Sequence, residues 1–151
     1  MEKPLKTSLE RKDFVKTISD LAQKNSIQNH PQNIISKAIF KLMALIKDKD
    51  VDLDATEAVD DLINLTDWPK NCFEEEIFEI LDVFGEFVGN CADKDALKNI
   101  VCAVSNLMYE NDDVRECYRT KIPETLNMFC ECAKYESSQE DVACALDGFI
   151  F

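Results

Sequence analysis

The chain has 151 residues, 46% hydrophobic and 31% charged, which is enough apolar material for one buried core and too much for a disordered chain. Its 30 acidic residues against 17 basic ones give a net charge of −13, a field that repels nucleic-acid phosphates and anionic lipid and attracts basic partners. With only three glycines and four prolines, and little β-branched alternation, hairpins have little to build on and the composition points to an all-α chain.

Leu9, Phe14, Val15, Ile18, Leu21 and Ala22 recur at helical spacing, predicting a first helix capped by Thr7 or Ser8 and closed at Asn25. After Pro31, the run Ile34, Ile35, Ala38, Ile39, Leu42, Met43, Leu45, Ile46 covers most of a helix circumference, the pattern of a helix packed on two sides. Asp54 or Thr56 then caps a shorter helix that turns Ala58, Val59, Leu62, Ile63 and Leu65 inward and stops at Thr66 to Pro69. A longer helix is predicted from about Phe73 to Asn90, with Gly85 and Gly89 weakening it or allowing close packing. Another follows Asp93 through Ala96, Leu97, Ile100, Val101, Val104, Leu107 and Met108. Beyond the polar turn Glu110 to Asp113 come a short segment Val114 to Tyr118 and a helix that Ile122 and Pro123 open. Ser137 or Ser138 is the predicted cap of the last helix.

Four helices carry a similar five-residue phrase: Thr17-Ile18-Ser19-Asp20-Leu21, Ala58-Val59-Asp60-Asp61-Leu62, Ala103-Val104-Ser105-Asn106-Leu107 and Ala145-Leu146-Asp147-Gly148-Phe149. Successive phrases start 41, 45 and 42 residues apart, a period in the range of helical-repeat arrays. Each reads small, aliphatic, two polar or small positions, then large apolar.

The stretch Ala96 to Phe151 resembles armadillo repeats, on Ala103-Val104-Ser105-Asn106-Leu107 for a third helix and Ile122-Pro123-Glu124-Thr125-Leu126 for the start of the next unit. The resemblance extends over most of the chain as about three and a half units. It implies one domain over 1–151, a short right-handed α-solenoid with approximate units at 1–25 (partial), 26–66, 67–110 and 111–151. It also implies a concave face lined by third helices, where an asparagine and a tryptophan one turn earlier hold an extended peptide. Asn106 stands at that asparagine position, Cys102 stands where the tryptophan would be, and Asp20, Asp61 and Gly148 replace the other asparagines.

A repeat stack buries apolar positions between units and leaves one ridge of its last helices free for a partner. Here that ridge would be Lys16, Ser19, Asp20 and Gln23, then Glu57, Asp60, Asp61 and Asn64, then Asn99, Cys102, Ser105, Asn106 and Tyr109. Its acidic middle would steer a Lys- or Arg-containing segment of a partner protein, and the alternative is that these carboxylates only solvate a helix face. Trp68, before Pro69, caps a core or serves as an interface anchor. The apolar ending Phe149-Ile150-Phe151 suggests a continuing array, a second copy or a partner at that end.

Metal and catalytic patterns are weaker. Asp48, Asp50, Asp52 and Asp54 alternate like calcium ligands, but counting from Asp50 places Ala55 where the loop needs glycine and Asp61 where it needs glutamate. Cys130 and Cys132, with Cys117 and Cys144 nearby, form no Cys-x-x-Cys pair, and two residues apart on a helix is a turn of about 200°. His30 is remote from every cysteine in sequence and has no evident orienting partner. No cofactor and no catalytic role are therefore expected. Seven cysteines, an odd number, fit reduced thiols in cytoplasm or nucleus, and the charged start and short apolar runs fit neither a secreted nor a membrane-spanning chain. The reading is a non-catalytic protein-interaction scaffold. Its alternatives are a compact bundle dimerising through the C-terminal end and a metal-dependent regulatory protein.

Overall fold

A computed structural model describes residues 7–24, 31–47, 51–90, 93–120 and 122–150, with the side chains at 74, 77, 117, 118, 122–125 and 148–150 left undescribed. Among these residues every regular element is a helix. They are α1 (Ser8–Gln23), α2 (Gln32–Leu45), α3 (Asp52–Leu65), α4 (Trp68–Asn71), α5 (Glu74–Asn90), α6 (Lys94–Glu110), α7 (Asp112–Thr120), α8 (Ile122–Ala133) and α9 (Glu136–Ile150).

Local chemistry sets several of the boundaries. Thr7 caps α1, its hydroxyl accepting from Glu10 N–H at 3.1 Å, and Asp93 caps α6 by accepting from the N–H groups of Asp95 and Ala96. Asn111 ends α6, and its side-chain oxygen receives the Asp113 N–H at 2.9 Å, so one residue separates α6 from α7. The Phe73 N–H donates to Glu76 Oε1 at 3.0 Å, the reaching-back half of a capping box, at the start of α5.

Two predicted caps are corrected. Helix α3 begins at Asp52, ahead of both Asp54 and Thr56, and the buried Thr56 hydroxyl instead donates to Leu53 O at 2.8 Å. Helix α9 begins at Glu136, ahead of Ser137 and Ser138; Ser138 is buried in its first turn and its N–H donates to Tyr135 O. The expected stop at Thr66 to Pro69 holds only for α3, because Pro69 is placed in the first turn of α4, where a missing N–H costs nothing.

The four helices that carry the recurring phrase lie side by side in chain order: α1 packs on α3, α3 on α6, and α6 on α9. Among the described residues, α1 makes no comparable contact with α6 or α9, nor α3 with α9. Helices α2, α4, α5, α7 and α8 fill in around this row, with α2 on α3, α5 on α7 and α8, and α7 and α8 on α6. One continuous apolar cluster runs from Val15 and Ala22 on α1 through Val59 and Leu62 on α3 and Ile100 and Val104 on α6 to Val142 and Ala145 on α9. The small residues at the start of the last three phrases, Ala58, Ala103 and Ala145, are fully buried, so the helices can approach closely there.

Four large apolar residues at the starts of helices are largely exposed, Leu9 (69%), Ile34 (41%), Phe73 (69%) and Leu126 (42%), although Leu9 and Ile34 belong to the apolar patterns of α1 and α2. Each sits in the first two turns of its helix or just before it. Gly85 and Gly89 are also exposed, and a Cβ at either would meet no atom within 4 Å, so close packing is not their reason.

Candidate functional site

Of the ridge residues, Lys16, Asp20, Gln23, Glu57, Asn64 and Tyr109 are exposed, and Ser19, Asp60, Asp61, Asn99, Cys102, Ser105 and Asn106 are half-buried. The structure brings one subset together. Asp60 on α3 interacts across the α3–α6 seam with Cys102 and Asn106 on α6, Asp141 of α9 joins them, and Asp61 and Glu57 stand beside Asp60 on α3. Lys16, Ser19 and Asp20 stand on the neighbouring α1, outside this group.

Negative charge dominates the cluster, with Lys98 of α6 acting on it from beside Cys102. Burial pushes the Asp60 carboxyl up to about 7, helped by the negative charges of Asp61, Asp141 and Glu57, while a hydrogen bond from the Asn106 side chain partly offsets the rise. Burial and then Glu57 raise Asp61 as well. Asp60 Oδ1 and Asp61 Oδ2 are shielded from solvent and receive no hydrogen bond among the described residues. Burial, with a hydrogen bond to Asp141, pushes the Cys102 thiol up to about 12, leaving it a protonated donor and a poor nucleophile.

Asn99 is committed to structure, since its amide donates to the Thr56 hydroxyl at 3.2 Å. Asn64 and Asn106, in contrast, line a pocket of about 410 Å³ enclosed by α2, α3, α4 and α6. Trp68 is fully buried, its indole N–H donating to Ser36 Oγ at 2.7 Å, so it caps a core and offers no surface to a partner. Phe151 lies outside the described residues, as do the side chains of Phe149 and Ile150.

Among the described residues no group of three or more His, Cys, Asp or Glu is arranged to hold a metal. Asp48, Asp50 and His30 fall outside them, and Asp52 and Asp54 belong to the first turn of α3. Cys72, Cys102, Cys130, Cys132 and Cys144 are free thiols; Cys130 is exposed and Cys132 buried, in keeping with opposite faces of α8. No described helix is long and apolar enough to cross a membrane.

Asp141 carries no mark in the sequence pattern that would join it to the ridge. The pocket was missed too, because Gln32, Lys70 and Glu110 come from three segments whose meeting no local spacing announces. The available signal was the recurrence of the five-residue phrase, since its carriers α3, α6 and α9 are in contact in that order. The chain matches no family model, no curated protein and no solved structure.

Proposed function

We propose that the chain is a short armadillo-like α-solenoid acting as a non-catalytic scaffold, which holds a basic segment of a partner protein on the face shared by α1, α3 and α6. The side-by-side order of α1, α3, α6 and α9 supports the stacked reading, since a closed bundle would also bring α1 against α6 or α9.

The single observation that carries the binding reading is the state of Asp60 and Asp61. Two carboxyls half-buried side by side, each with a shielded oxygen lacking a donor, and with Asp141 and Glu57 as further negative neighbours, are a costly arrangement for folding alone. An arriving guanidinium or ammonium group supplies the donors and the charge that the cluster lacks.

The test is fluorescence anisotropy with a labelled nona-arginine peptide at fixed ionic strength. Asp60→Asn combined with Asp61→Asn is expected to weaken binding at least tenfold with the helix content unchanged. Glu75→Gln combined with Glu79→Gln, which likewise replaces two carboxyls by carboxamides but at exposed positions of α5, is expected to leave it within twofold. Equal losses in the two double variants would mean that the peptide senses only net charge, and the proposed face would be wrong.

A further inference from the structure

The pocket beside the acidic cluster has a chemistry of its own. Its lining includes the buried Ile35 and Ile63, the carboxamides of Asn64 and Asn106, and the carboxylates of Asp67 and Glu110. At about 410 Å³ it is in the size range of ligand pockets and large enough for one long side chain. Asn106 belongs to both places, lining the pocket and hydrogen-bonding Asp60, so the pocket is continuous with the acidic face.

One lysine already samples this site from within. Lys70 Nζ lies 3.6 Å from Glu110 Oε2 and 3.8 Å from Asp67 Oδ1, with its side chain 57% exposed. Both separations exceed a good charged hydrogen bond, and an exposed ion pair of this kind is worth little and exchanges readily with water. Two carboxylates facing one loosely held ammonium leave the pocket with a net negative charge. A planar guanidinium reaches carboxylates through two parallel N–H groups, which Lys70 cannot do, and its methylene stem suits the apolar Ile35 and Ile63.

We infer that this pocket receives an arginine side chain of the docked segment, the guanidinium pairing with Glu110 and Asp67 while Lys70 swings out to solvent. The inference rests on the docking face proposed above and adds to it a position at which arginine is selected over lysine and over neutral residues. Asp60 and Asp61 then meet a neighbouring cation of the same segment.

The experiment keeps the two proposals apart by using the full chain with two kinds of probe. In ¹H–¹⁵N spectra, N-acetyl-arginine amide is expected to shift the signals of Asn64, Asn106 and Glu110 saturably, whereas the neutral isostere N-acetyl-citrulline amide leaves them unmoved. Glu110→Lys, at a position accessible enough to keep the fold, is expected to abolish that response and to weaken nona-arginine binding roughly tenfold, the size of one charge-assisted contact. A nona-arginine affinity that depends on Asp60 and Asp61 but is untouched by Glu110→Lys would overturn the arginine pocket and leave the docking face standing. Failure of nona-arginine to bind the unmodified chain would remove both. Equal shifts from arginine and citrulline would show a site that reads the amide groups and not the charge, which also overturns the inference.

Discussion

The amide of Asn99 on α6 donates to the hydroxyl of Thr56 on α3 at 3.2 Å, across 43 residues of chain. The Thr56 hydroxyl in turn donates a hydrogen bond to Leu53 O, so one buried hydroxyl links the two neighbouring helices α3 and α6. Asn111, just after α6, ties that helix end to α4, its Nδ2 donating to Pro69 O at 2.6 Å. Thr56→Val keeps the shape and removes the bond, and it is expected to cost about 1 kcal/mol in urea unfolding. A cost below the error of that measurement would mean the bond contributes nothing to register.

Asp60 is expected to make stability fall as pH rises. Its folded value of about 7 lies above the value near 4 of an unfolded aspartate, so between those limits the folded chain holds the extra proton. Stability is then expected to drop through pH 4 to 7 by on the order of 2 kcal/mol from this group, allowing for its partial exposure. Asp60→Asn is expected to flatten that slope and to raise the melting temperature at pH 8 while changing little at pH 4. A variant whose stability tracks the parent at every pH would show that Asp60 titrates normally.

Gly85 and Gly89 lie on the exposed side of α5 with free space where a Cβ would stand. Replacing either with alanine removes backbone freedom from the unfolded chain at no steric cost, so each change is expected to add about 0.5–1 kcal/mol. Calorimetry of Gly85→Ala, Gly89→Ala and the double variant checks this, and a loss of stability would indicate a contact on that face.

Thiol reactivity ranks the cysteines. Cys130 and Cys144 are exposed, Cys132 is buried, and Cys102 is held protonated by burial and by Asp141. Among the five described thiols, iodoacetamide at pH 8 is expected to modify Cys130 and Cys144 before Cys72, Cys102 and Cys132, as read by mass spectrometry, and Asp141→Asn is expected to speed the modification of Cys102. Rapid alkylation of Cys102 in the unmodified chain would contradict its placement beside Asp141.

Much of the architecture was legible because it depends on local order. Thr7, Asp93 and the apolar spacing of residues 96–108 define helix starts and inner faces through chemistry contained within a few residues. The alternating phrase beginning at Ala58, Ala103 and Ala145 marked the positions where helices meet, because only small buried residues permit that approach. Caps such as Thr56 and Ser138 misled because tertiary burial, which no window of sequence contains, turned their hydroxyls inward. Of the candidate site, Asp60, Asp61, Cys102 and Asn106 were within reach as a ridge. Asp141 and the Lys70 to Glu110 contact depend on helices packing across 40 residues or more and carried no local mark.

The most direct measurement is amide chemical-shift mapping of the full chain as nona-arginine is added. Saturable shifts are expected to run across one face, through Asp20 on α1, Asp61 on α3 and Asn106 on α6, and to leave the exposed side of α5 at Glu75 and Glu79 still. Shifts gathered on α5 instead, or spread evenly over every acidic residue of the chain, would contradict a shared docking face on the row of α1, α3 and α6.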